Sequence, residues 1–190
     1  MLGDSYASTV ELEYRLGSDD DGTFGDILAA ASRAVESFTR RQFNKTTTAT
    51  ARRFRPLDWR RLPVDDFHTA TGLVVNSDGA VWDLADVDPQ PWNGTVDGQT
   101  GWPFFNLYAV NRSFSAAATI TVTAQWGWAA VPAGIREATL AVAEGMHSKA
   151  PGKTRAFAID GYSESFVVEG EELGAYTSAE PYRRKRFGIA

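Results

Sequence analysis

The sequence predicts an α+β chain: a small helical bundle, with helices at about 9–16, 23–41 and 132–148, a β-rich insertion over about 44–130 and an extended C-terminal arm. Three observations lead there. Apolar residues recur at helical spacing from Phe24 to Phe38. Residues Thr119 to Trp126 instead alternate apolar and polar, the period of a half-buried strand. Pro132 then opens another helical pattern, at a position where its missing N–H costs nothing. In domain terms this is a core of residues 1–150 followed by an arm of residues 151–190.

The first helix rests on Ser8 or Thr9 as cap and on Val10, Leu12, Tyr14 and Leu16 as apolar groups; their alternation also suits a strand. Gly17 to Gly22 is an acidic, glycine-flanked loop. For the second helix, Thr23 is the expected cap, with Asp26 three residues on as a short capping box. Phe24, Ile27, Leu28, Ala31, Val35 and Phe38 form its apolar face. From Thr46 to Phe54 the chain turns β-branched and polar, as a strand does. Leu62 to Phe67 reads as a turn with extended flanks, and residues 71–75 and 80–84 as a hairpin about Asn76–Gly79. Residues 85–103, rich in Asp, Asn, Pro and Gly, read as a long loop; Leu107 to Val110 and Thr119 to Trp126 read as strands. In the third helix Ile135, Ala138, Thr139, Val142 and Met146 line one face, and Pro151-Gly152 ends it. Residues 157–159 and 165–168 suit short strands. From Glu169 on, no face offers to bury itself, and ordering these 22 residues costs roughly 20–45 kcal/mol of backbone entropy. The arm is therefore expected to be mobile or ordered on a partner.

Composition narrows the function. The chain has 190 residues, 43% of them hydrophobic, enough for a packed core. It has no Cys, so disulfides and thiolate metal sites are excluded. The opening Met1-Leu2-Gly3-Asp4 lacks a basic-then-apolar run, so no signal peptide is expected, and no apolar run approaches the ~20 residues of a membrane span. The sequons at Asn44, Asn93 and Asn111 then read as chance. A net charge of −5 argues against DNA binding as the main task. The charge is uneven: residues 1–28 hold seven acids against Arg15 alone, and residues 183–186 are Arg-Arg-Lys-Arg.

No motif points to catalysis or to a cofactor. His68 follows Asp65-Asp66, but a solvated turn is the plainer reading; His147 sits where a helix C-terminus favours a cation. Gly152-Lys153-Thr154 lacks the earlier glycine of a phosphate loop. Asp19-Asp20-Asp21-Gly22 lacks the alternating ligands and distal glutamate of a calcium loop. Glu171-Glu172 is not a positioned acid–base pair. Expected catalytic, cofactor and metal residues are therefore none. The basic end has three readings: solvated, touching phosphates, or docked in an acidic groove with Tyr182 and Phe187 as anchors. The flanking aromatics favour docking.

The ordered set of segments resembles the tailed-bacteriophage head–tail connector (adaptor) family. The set is an acidic first helix with Tyr6 and Leu12, then Ile27-Leu28-Ala29-Ala30-Ala31-Ser32-Arg33-Ala34-Val35-Glu36 closing on Arg40-Arg41-Gln42-Phe43. Arg52-Arg53-Phe54, Leu62 to Phe67 and Gln125-Trp126-Gly127-Trp128 leading to Ile135-Arg136-Glu137-Ala138 follow. The likeness covers about residues 5–150. It implies a non-enzymatic virion protein, made in the host cytoplasm. Such adaptors form a ring, usually of twelve copies, beneath the portal protein. They join it to the next neck ring (the stopper) and surround a channel through which genomic DNA passes without specific binding, with no membrane involved. It also implies portal docking by the C-terminal segment, here Tyr182, Arg183, Arg184, Lys185, Arg186 and Phe187.

Three other readings stay open on the residues. One is another neck or tail ring, a stopper or tail terminator. Another is a β-rich carbohydrate- or protein-binding module using Trp82, Trp92 and Trp102. The third is a hydrolase using Asp83, Asp86, Asp88 and Asp97, which would need paired acids at fixed separation.

Overall fold

The computed structural model describes residues 5–115, 118–148 and 174–184. It is α+β, with helices and one antiparallel sheet, and divides into two compact units: Met1–Arg41 with Val131–Ala190, and Gln42–Ala130. No helix among the described residues is long and apolar enough to cross a membrane.

The first unit holds helices α1 (Thr9–Leu16), α2 (Phe24–Thr39) and α3 (Ala133–Ser148). Ser8 caps α1 with a full capping box: its hydroxyl accepts from the Glu11 N–H, and Glu11 accepts in return from the Ser8 N–H at 2.8 Å. Gly17, left-handed, ends the helix. On α2, Phe24, Leu28, Ala31 and Val35 are buried, as the spacing predicts. Its start corrects the sequence reading, because Thr23 makes no side-chain cap bond. Asp20 acts instead, accepting from the N–H groups of Gly22 and Phe24 at 2.8 and 3.1 Å. A carboxylate reaching back from the loop supplies both the acceptor and the negative charge that a helix start favours. The helix ends at Thr39, two residues short of the expected Arg41, because Arg40 turns left-handed. Tyr6 is buried against α2, its N–H on Ser32 Oγ at 3.0 Å and its hydroxyl on Glu36. Arg15 ties α1 to α3 through Glu137 and Glu144 at 2.6 and 2.8 Å.

Residues 174–184 correct a second expectation. They lie on the unit's own helices, around a 3-10 turn at Thr177–Tyr182, with Ala179 fully buried. Arg41 Nε donates to the Tyr182 carbonyl and the Arg184 N–H to the Thr39 carbonyl, both at 2.8 Å. The missing ingredient was Gly134. With no side chain on α3 there, the Ser178 carbonyl sits where a Cβ would approach it to 2.6 Å. Backbone thus meets backbone, and small residues do what an apolar stripe was expected to do. The expected strands at 157–159 and 165–168, the Pro151-Gly152 stop, Lys153 and Glu171-Glu172 lie outside the described residues.

The second unit is a sheet of strands β1 (Thr50–Phe54), β2 (Arg61–Ser77), β3 (Ala80–Trp82), β4 (Val87–Gln90), β5 (Phe104–Ala109) and β6 (Ile120–Trp126). The order is β1-β6-β2-β5-β4, with β3 paired to β2. Ile120, Val122, Ala124 and Trp126 of β6 point inward in strict alternation. They join Leu62, Val64, Phe67, Leu73, Val75, Trp82, Leu107 and Phe114 in one core. The expected turn at 62–67 is the first third of β2, whose long run is broken by three register shifts, one against β5 and two against β6, rather than reversed. Pro63, Asp65 and Asp66 look like turn chemistry, but Asp65 pairs with Arg52 at 2.7 Å and buried Asp66 accepts from the Trp128 indole at 2.9 Å. His68 is likewise on β2, half-buried, not in a solvated turn; its Nδ1 has no partner. The expected loop at 85–103 contains β4, an edge strand, where Pro89 is tolerated.

The tryptophan–glycine turn joins the unit's two ends. Gly127 has φ +94°, and a Cβ there would stand 1.9 Å from the Asn44 carbonyl oxygen. Trp126 exchanges bonds with Thr46 at 2.8 Å and donates its indole N–H to the Thr50 carbonyl. Trp128 packs on Phe43 and Trp102 at centroid distances of 5.2 and 5.1 Å.

Candidate interaction surfaces

The predicted docking residues divide. Tyr182, Arg183 and Arg184 are described; Lys185, Arg186 and Phe187 are not. Phe38 is stacked by Tyr176 at 4.6 Å, and the Arg183 guanidinium stands 5.0 Å from the same ring. Arg183 is nevertheless half open to solvent and makes only a loose ion pair with Glu180, at 3.7 Å. The segment is thus a fixed mount with Arg183 on its outer side, which can engage a carboxylate surface without first being ordered.

A second surface is on α1 and the loop after it. Val10 and Tyr14, one turn apart, are 68% and 93% exposed. Asp19, Asp20 and Asp26 are exposed nearby in sequence. The Glu11 carboxyl is held below its ordinary value, chiefly by the Ser8 N–H and then by the Ser8 hydroxyl. The surface is therefore apolar and anionic together.

A third surface was missed by sequence reasoning, although its signal is plain once β1 is placed. Five arginines fall between Arg52 and Arg61. Ala51, Arg53, Arg55, Leu57 and Trp59 alternate outward from edge strand β1 into the following loop. Leu57 is 47% and Trp59 59% exposed. The Arg60 guanidinium lies 4.4 Å from the Trp59 ring and 5.6 Å from that of Tyr108. Beside it is a shallow concavity lined by Asp58, Trp59, Arg60, Arg61 and Tyr108. Asp58 stays ionised below its ordinary value, held first by the Arg60 N–H and next by Arg61. Arg52 is spent inside the unit, on Asp65 and over the Trp126 ring at 4.6 Å. Arg53 and Arg55 form no ion pair among the described residues.

Several of the residues named for rival readings are engaged within the fold. Trp82 is buried and stacks on Phe114 at 4.8 Å, Trp102 packs on Trp128, and only Trp92 of the three stands well exposed. Asp86 is held by Arg112 at 2.7 Å and Asp88 by the Trp92 indole. Among the described residues no three His, Cys, Asp or Glu side chains are grouped to hold a metal ion.

No family model and no curated protein matches the chain. Its fold is similar to that of two solved chains. One is from the "neck of empty GTA particle computed with C6 symmetry", at 13% identity and a TM-score of 0.54, covering 96% of this chain and 91% of that one. The other is from the "neck of native GTA particle computed with C12 symmetry", at 13% identity and a TM-score of 0.51, covering 100% and 99%. Helical unit and sheet unit are both within that likeness, since nearly the whole of each chain is covered.

Proposed function

We propose that the chain is a structural head–tail adaptor of a phage-like particle. Twelve copies form a ring beneath the portal, join capsid to tail and surround the DNA channel. One observation carries this: the end-to-end likeness in fold to chains from particle necks, one of them with C12 symmetry. The ordered resemblance of residues 5–150 to connector proteins supports it independently of the fold. The work is assembly. A ring needs two unlike faces on each copy and a rotation that closes. A net charge of −5 suits a channel through which DNA slides. In this reading the portal takes Tyr182, Arg183, Arg184, Lys185, Arg186 and Phe187, and the completed ring presents a face to the stopper.

Native mass spectrometry of the chain, alone and mixed with portal rings from the same particle, tests this. Addition in ring stoichiometry is expected. Failure to add, with binding to a different neck ring, would make the chain a stopper or terminator. The docking assignment is tested separately with Lys185→Ala, Arg186→Ala and Phe187→Ala together. Unchanged circular dichroism and proteolysis of the variant would verify that the mount stays in place; undiminished addition to the portal would overturn the assignment and leave the adaptor reading standing.

A further inference from the structure

We infer that the outward face of β1 and the loop after it, Arg53, Arg55, Leu57 and Trp59, docks a second copy of this chain through the face of α1 and the α1–α2 loop. The proposal takes from the adaptor reading only that copies meet in a ring. Both faces are open: Arg53, Arg55, Leu57, Trp59, Val10, Tyr14, Asp19 and Asp20 are all exposed. Each combines what interfaces select, large apolar or aromatic groups among charges mainly of one sign; the opposite charges, Asp58 and Arg15, are taken up by Arg61 and by Glu137 and Glu144. The signs of the two faces are opposite. Arginine, tryptophan and tyrosine are the residues enriched where binding energy concentrates. The counterpart to the arginine and tryptophan here is a tyrosine 93% exposed, one helical turn from Glu11 and five residues before Asp19.

The two faces are built from different residues of one chain, so in a ring each copy uses one face on either neighbour. Exposed ion pairs are individually weak and salt-sensitive. A copy already held at one edge of a growing ring presents its other edge at high effective concentration, so weak contacts suffice. A nucleic acid is the competing occupant of an arginine–aromatic face. The apolar pair Leu57 and Trp59 and the matching anionic face on the same chain favour a second copy.

The chain has no Cys, so single cysteines report contacts cleanly. Asp19→Cys in one chain and Arg55→Cys in another alter side chains that make no hydrogen bond or ion pair among the described residues. Circular dichroism would verify that both variants fold. Mixed at low salt under mild oxidation, unlike-site disulfide dimers should exceed like-site dimers several-fold. That excess should vanish in about 1 M salt, where charges are screened within about 3 Å. A statistical mixture at low salt would overturn the proposal. So would loss of the unlike-site excess when duplex DNA is added and binds the unmodified chain but not Arg53→Glu/Arg55→Glu. Failure here is distinguishable from failure of the adaptor reading. If only the interface is wrong, Arg53→Glu/Arg55→Glu still completes the ring on the portal; if the adaptor reading is wrong, the unmodified chain does not add at all.

Discussion

Ser8 and Glu11 show how a pair of surface residues sets an element. Each satisfies the other's backbone N–H, so α1 starts where it does despite its brevity. Ser8→Ala should cost about 1 kcal/mol and lower the melting midpoint by roughly 2–4 °C. The pH dependence has a definite sign. Glu11 titrates lower in the folded chain than in the unfolded one. Its contribution is therefore complete above the ordinary glutamate value of about 4.3 and lost as pH falls through the lowered folded value. Unfolding measured against pH should show an acid-side decline that is smaller in Ser8→Ala, which removes the hydroxyl's share and keeps that of the backbone N–H; an unchanged decline would mean that the N–H alone holds Glu11. Gly127 makes the opposite point, that one absent atom matters. Alanine there meets both a left-handed φ and the Asn44 carbonyl at 1.9 Å. Gly127→Ala should cost on the order of 3 kcal/mol or more, read as a lower melting midpoint with loss of the buried tryptophan fluorescence signal.

At the scale of elements, the contact between α3 and residues 174–184 turns on Gly134. A helical glycine replaced by alanine ordinarily gains up to about 1 kcal/mol from propensity. Here the new Cβ would stand 2.6 Å from the Ser178 carbonyl oxygen. Gly134→Ala should therefore keep α3 helical yet release the segment, seen as faster proteolysis near Tyr176–Arg184 with unchanged helicity. Equal proteolysis would show the segment held by Phe38, Arg41 and Thr39 alone. The same contact explains why the arm was illegible: in residues 174–184 only Ala179 and the tyrosines pack on the helices, too few to read as an apolar stripe, and backbone fills the space a glycine leaves. Strand β6 and helix α2 were legible since their burial follows a period fixed by geometry. Strand β2 was not, because Asp65 and Asp66, turn-like in sequence, find partners distant along the chain in Arg52 and Trp128. The arginine face was hidden for a related reason. Arg53 and Arg55 become neighbours of Leu57 and Trp59 only once β1 is known to be an edge and its outward phase is fixed.

For the whole molecule, the question is whether Gln42–Ala130 folds as a unit of its own. Its core draws on β2 to β6 and the residues flanking them, and β1 pairs along its length with β6. Its ends are fastened to each other within the unit, by Gly127 against Asn44, by the Thr46–Trp126 bonds and by Phe43 against Trp128. A segment whose two ends meet inside its own fold carries its closure with it, so excision removes no turn that the fold needs. Residues 42–130 expressed alone should melt cooperatively, with the fluorescence of Trp126 and Trp128 and the sheet signal in circular dichroism changing at one temperature. Separate midpoints, or tryptophans already solvent-exposed before heating, would mean that the sheet depends on the helices. An autonomous unit would also separate the two binding tasks proposed above. It carries Arg53, Arg55, Leu57 and Trp59 but neither α1 nor the C-terminal segment. It should therefore cap one edge of an assembling ring, competing with intact chain for the face of α1, while failing to add to portal rings by itself.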